Sequence, residues 1–167
     1  LAKHAAIHGA VEISKGCGRN CQFCTPTMQS KVDVPLEKIM AEVEMTTREG
    51  SDHITLVTED LFLYGAKSKT FIPNQEAVVK LVKSVADYPG VKSIQASHMS
   101  LAPVARNPSM VKELAEILIE RSWYSHGNKP IITAETGIET GSTRLMKKYM
   151  GGKMLPFKPE QWQEVVT

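Results

Sequence analysis

Apolar residues recur along this chain in two alternating rhythms. Short runs of β-branched and aliphatic residues begin near positions 11, 54, 91 and 131. Each is followed by a stretch in which apolar positions return at i, i+3, i+4 and i+7, the spacing of one helix face. Val11 to Ser14 predicts a first strand. Leu36, Ile39, Met40 and Val43 predict a helix with Pro35 at its first position and Gly50 at its end. Ile54 to Thr58 predicts a second strand that closes on Glu59 and Asp60. A loop over 60–73 leads to Asn74, an expected N-cap, and to a helix whose Val78, Leu81, Val82 and Val85 face inward until Pro89 and Gly90 end it. Val91 to Ser97 predicts the third strand, and Asn107 and Pro108 open a helix with Val111, Leu114, Ala115 and Leu118 inward. Ile131 to Ile138 predicts the fourth strand; Gly141 and Ser142 start a short helix that Gly151 and Gly152 stop. Met28, Met40 and Met45 read as core fillers.

A strand followed by a helix, repeated about every 40 residues, is the pattern of a parallel sheet wound by right-handed crossovers, so the expected class is α/β. In βα-barrels the chemistry gathers at the carboxyl ends of the strands. The distinctive polar residues fall at those ends: three cysteines after the first strand, Glu59 and Asp60 after the second, Ser97 and His98 after the third, Glu139 after the fourth.

Composition narrows this picture only a little. The 167 residues suffice for one domain with its own core. Lys and Arg number 20 against 18 Asp and Glu, and a net charge of +2 selects neither nucleic acid nor a membrane surface as partner. No apolar run reaches the length of a membrane span, and no basic stretch with an apolar segment behind it opens the chain, so neither a span nor a signal peptide is expected. Clustered cysteines fit a cytoplasmic location. The chain starts at Leu1 and stops at Thr167 within a predicted helix that begins at Pro159, so residues 1–167 read as a piece of a longer protein, with flanking domains outside it.

The concentrated chemistry is in residues 16–24, Gly16-Cys17-Gly18-Arg19-Asn20-Cys21-Gln22-Phe23-Cys24, which hold all three cysteines. Three thiols so close together make no ordinary disulfide framework, because one is left over and the spans are short. Soft thiolates in one loop point to zinc or to iron–sulfur. A structural zinc wants four protein ligands, which His4 or His8 could complete; a self-contained 4Fe-4S site wants four cysteines. With three, one iron stays open to a ligand. Zinc completed by histidine, as in a binding module without catalysis, and plain thiols remain the alternatives. Lys15 and Arg19 flank the loop, either to offset negative charge or as exposed basic residues with no special role.

The Cys-x3-Cys-x2-Cys spacing, with Phe23 before the last cysteine and a short strand in front, resembles the radical S-adenosylmethionine enzymes. The resemblance implies a partial parallel (βα) barrel of which about four of six units are present. It implies that Cys17, Cys21 and Cys24 bind three irons of a 4Fe-4S cluster, with S-adenosylmethionine on the fourth. The implied reaction is reductive cleavage of that cofactor to a 5'-deoxyadenosyl radical, fed by an electron donor such as flavodoxin or ferredoxin. It further implies that Phe23 lies against the adenine, the alternative being an apolar anchor of the loop. The family often carries Gly-Gly-Glu after the second strand; the glycines are missing here, which leaves Glu59 as the candidate carboxylate for the methionine amino group. Ser97 and His98 stand where the family places a polar contact to the cofactor, or they are lining residues.

Gly137-Ile138-Glu139-Thr140-Gly141-Ser142 resembles a stretch of the cobalamin-dependent and methylthiotransferase-like branches, with Thr140 in place of a serine, and Met146 to Lys153 extends the likeness. On that resemblance Glu139 joins the cofactor-binding candidates. One branch would bring cobalamin through a domain ahead of Leu1. The other, which Lys15-Gly16-Cys17 and the run from Glu59 to Gly65 also resemble, modifies RNA or ribosomal protein.

Overall fold

The computed structural model describes residues 9–26, 29–67 and 70–166. Strand β1 (Ala10–Glu12) runs into β2 (Ser14–Lys15), and β3 (Val32–Asp33) returns after the cysteine loop to pair antiparallel with β2. Helix α1 (Leu36–Arg48) follows, buries Ile39, Val43 and Thr46, and rests Leu36 and Met40 against the core. Pro35 is its cap residue, one position before the expected place, a shift within the usual uncertainty of helix ends. Strand β4 (His53–Val57) comes next. It is the central strand of a parallel sheet in the order β1, β4, β5, where β5 is Ser93–Ala96. Between them, helix α2 (Gln75–Ala86) starts on Asn74, whose side chain accepts from the Ala77 amide at 3.2 Å, as the sequence predicts.

Residues after Asp60 are not the open loop expected. Leu61–Leu63 form a 3-10 turn with all three side chains buried, capped by the Asp60 carboxylate. After β5, a short helix α3 (Leu101–Arg106) precedes the expected one, α4 (Pro108–Glu120). Asn107 caps α4 by accepting from Met110 N, and the buried face is Met110, Leu114 and Leu118, rotated by one position from the predicted one.

The fourth strand departs most from expectation. Residues 124–131 form an exposed antiparallel hairpin, β6 (Tyr124–His126) with β7 (Lys129–Ile131). What remains of the parallel strand is a single bridge between His98 and Glu135, held by Glu135 N to Ser97 O at 2.8 Å and Met99 N to Glu135 O at 3.0 Å. A parallel strand needs cover on both faces. Ile131 and Ile132 are each 36% exposed, so this stretch has no such cover. The architecture is therefore α/β with three parallel strands among the described residues, and one bridge marks where the fourth would lie. Helix α5 (Thr143–Tyr149), capped by Ser142, then leads to a turn over 151–156, a 3-10 turn Pro159–Gln161 and α6 (Trp162–Val166). Among the described residues no helix is long and apolar enough to cross a membrane.

The core lies between the sheet and α1, α2 and α4, and Val11, Ile54, Leu56, Leu81 and Met110 are fully buried in it. Ile54 sits on the central strand with no exposed surface. Ile54→Ala is expected to lower unfolding free energy by about 2–5 kcal/mol through lost burial and a residual cavity, read as a lower urea midpoint with an unchanged slope.

Candidate functional site

The cysteine loop begins where β2 ends, and its winding depends on left-handed backbone. Gly16, Gly18 and Asn20 have φ of 69°, 71° and 58°. Glycine and asparagine adopt that region with least strain. At Gly16 a side chain would meet the Ser30 carbonyl oxygen at 2.8 Å. The loop closes on itself through Cys17 N to Pro26 O at 3.2 Å and Cys24 N to Cys21 O at 3.1 Å. It also closes on the end of α5, where Gln22 N donates to Tyr149 O at 2.8 Å.

The three cysteines, none in a disulfide, line one cavity of about 290 Å3 at the carboxyl end of the sheet. Glu59, His98 and Glu139 line it as well, with Phe23. Phe23 is 59% exposed, so it is not an apolar anchor of the loop. Ser97 is not among the lining residues. Its hydroxyl donates to Thr58 O at 2.8 Å and accepts from Thr58 N at 3.0 Å, which ties the ends of β4 and β5 together. Glu139, in left-handed backbone at φ 60°, pairs with Lys153 at 3.0 Å. His98 Nε2 faces Glu135 at 3.1 Å, while its Nδ1 is buried with no hydrogen-bond partner among the described residues. Glu59 has no ion-pair partner among them.

Two residues that sequence reasoning undervalued hold this arrangement together. Arg19 is buried, not exposed, with 4% of its surface accessible. Its Nη2 donates to Asp60 Oδ2 at 2.9 Å, and its Nη1 to the carbonyls of Gly152, Lys153 and Leu155 at 3.3, 2.7 and 3.2 Å. Asp60 is equally buried, and its other oxygen accepts from Phe62 N and Ser100 N, each at 3.2 Å. The close approach requires a glycine: a side chain at Gly152 would stand 2.2 Å from the Arg19 carbonyl oxygen. The one available signal was an acidic pair at a strand end and an arginine within the cysteine motif.

Burial pushes the Cys17 thiol above its ordinary value of 9.0; the Arg19 charge pulls it back, and Asp60 and Glu59 push it up again. Burial likewise raises Cys21, with Lys153 opposing. Among the described residues no three His, Cys, Asp or Glu side chains gather as a site for a single metal ion. One tetrahedral zinc would draw its sulfur ligands to about 2.3 Å. A cubic cluster spreads three thiolates over three irons, so three thiols facing one cavity fit it in kind and number. His4, His8 and Met28 lie outside the described residues.

No protein-family model matches the chain. Among curated proteins it is similar to ribosomal protein uS12 methylthiotransferases, RimO. The identity is 32% over 107 residues with that of Frankia alni, covering 63% of this chain and 18% of that protein. With that of Salinispora arenicola it is 26% over 129 residues, 74% of this chain and 24% of the relative. With that of Sorangium cellulosum it is 30% over 109 residues, 63% and 22%. The chain thus spans about a fifth to a quarter of the length of these curated relatives.

Proposed function

We propose that this chain carries the cluster-binding core of a radical S-adenosylmethionine enzyme. Cys17, Cys21 and Cys24 are the ligands of a 4Fe-4S cluster, and a flavodoxin- or ferredoxin-like protein is the electron source. The likeness to uS12 methylthiotransferases supports the finer reading, a methylthio transfer to a ribosomal protein. Those relatives lend the cobalamin expectation no support. The observation that carries the reading is that all three thiols face one cavity together with residues from the ends of β4 and β5.

When bound, the cluster and cofactor together supply one-electron cleavage of a sulfonium carbon–sulfur bond to methionine and a 5'-deoxyadenosyl radical. The protein's part is to hold, orient and dry. Glu59 presents a carboxylate to the methionine ammonium. The exposed face of Phe23 offers a stacking surface to adenine. His98, whose Nδ1 is buried without a partner among the described residues, lines the same cavity. Lys153 holds Glu139, and Ser97, by bridging to Thr58, keeps Glu59 and His98 on the same cavity wall.

Anaerobic loading with iron and sulfide is expected to give about four irons and four sulfides per chain, with a brown chromophore and an electron paramagnetic resonance (EPR) signal that changes on adding S-adenosylmethionine. Cys17→Ala, Cys21→Ala and Cys24→Ala should each abolish that loading. One zinc per chain, with no sulfide retained, would overturn the reading.

The raised thiols predict a pH dependence for the metal-free chain. The folded state keeps its protons to higher pH than the unfolded state does, so it binds more protons above about 9.0. The contribution is complete below that value and is lost as pH climbs through the folded-state values. Urea unfolding under reducing conditions should show wild type losing more stability than Cys17→Ala between pH 8 and pH 10, values chosen as roughly one unit either side of the ordinary thiol. Parallel curves would refute this.

A further inference from the structure

Four of the five segments that line the cavity, residues 135–139 being the fifth, are the cysteine loop, the end of β4, the end of β5 and the turn after α5. They meet at one buried point. Arg19 sits in the loop between Cys17 and Cys21, Asp60 follows Glu59, Ser100 N reaches Asp60, and the carbonyls of residues 152, 153 and 155 receive the other guanidinium nitrogen. Arg19 also lines the cavity itself. Fastening alone would not require a charge there. A full positive charge with 3% of its side chain exposed, beside three thiols, is weakly screened by water and acts on whatever charge the thiols hold.

We propose that Arg19 and Asp60 are positioning residues whose opposite charges set the reduction potential of the cluster, Arg19 raising it and Asp60 lowering it. This rests on the cluster reading proposed above. Reduction adds one electron, and hence one negative charge, to a group already ligated by three thiolates. A nearby buried cation stabilises the reduced form and a nearby anion destabilises it. Arg19 faces the cavity and Asp60 stands behind it, so the arginine has the larger effect.

The test is an EPR-monitored redox titration of the chain loaded with iron and sulfide, with dithionite as the electron donor. Arg19→Gln is expected to move the midpoint to more negative potential. Asp60→Asn should move it to more positive potential by a smaller amount, and Arg19→Lys, which keeps the charge and loses the fork, should stay near wild type. Opposite signs are the signature, because a purely structural loosening that lets water in would move both variants the same way. Shifts of the same sign, or none in either variant, overturn the proposal, as does an Arg19→Lys shift as large as that of Arg19→Gln. Should Arg19→Gln fail to fold by circular dichroism, Asp60→Asn against Arg19→Lys decides: a positive difference supports the proposal and a zero or negative one overturns it. Lys92→Gln, at an 80% exposed surface ion pair, serves as a charge control and is expected to leave the midpoint in place. A wild-type chain that takes up no cluster overturns the proposed function and this inference together; a cluster indifferent to all four substitutions overturns this inference alone.

Discussion

A buried guanidinium is tolerated only when its charge is matched and its donors find acceptors. Arg19 meets that condition with one carboxylate and three carbonyls, although its Nε finds no acceptor among the described residues. The consequence is that residues 19, 60, 100 and 152–155 cannot be displaced independently. Removing either charged partner strands the other in a dry place, typically at about 3–5 kcal/mol. The cation–π contact of Arg19 with Phe71, 5.2 Å from the ring centroid, adds the segment after the Leu61–Leu63 turn to the same node.

This node explains why the stretch from Met146 to Lys153 matters to a cysteine loop more than 120 positions earlier. Helix α5 offers its last carbonyls to Gln22, from Tyr149 to the amide and from Lys148 to the side chain at 3.3 Å. Gly152 then lets the turn lie against the backbone of Arg19 without a side chain in between. The glycine pair thus does two things. It stops the helix, as its position in the sequence implies, and it supplies the one close approach that a larger residue would forbid.

Much of the scaffold was legible because local rules decide it. Asn74 and Asn107 cap the helices they were expected to cap, and Val78, Leu81, Val82 and Val85 of α2 are buried as its spacing selects, with Val79 and Ala86 added. The misses share a cause. The burial of Arg19 depends on an aspartate 41 residues away and on carbonyls 133 to 136 residues away, which no periodicity encodes. Leu61, Phe62 and Leu63 read as loop because a single 3-10 turn has too few residues to show a period. Ile131 to Ile138 has the composition of a strand, but strand composition measures fit to a half-buried pleated surface. Where that surface is missing, Ile131 ends an exposed hairpin and Glu135 alone makes a parallel bridge.

The charges facing the cavity favour a ligand that brings positive charge of its own. Of its carboxylates, Glu135 faces His98 and Glu139 faces Lys153, and Arg19 is committed to Asp60 behind the wall. That leaves Glu59 without a cation among the described residues, near the Cys17 thiol whose ionisation it already opposes. Adding a thiolate-ligated cluster puts more negative charge into the same space, and like charges at that separation raise each other's free energy. A neutral or anionic co-ligand would leave that repulsion standing. A molecule that carries both an ammonium and a sulfonium would relieve it at two points, at Glu59 and at the cluster, and S-adenosylmethionine is such a molecule. This electrostatic preference takes the proposed cluster as its starting point and adds to it the uncompensated charge of Glu59.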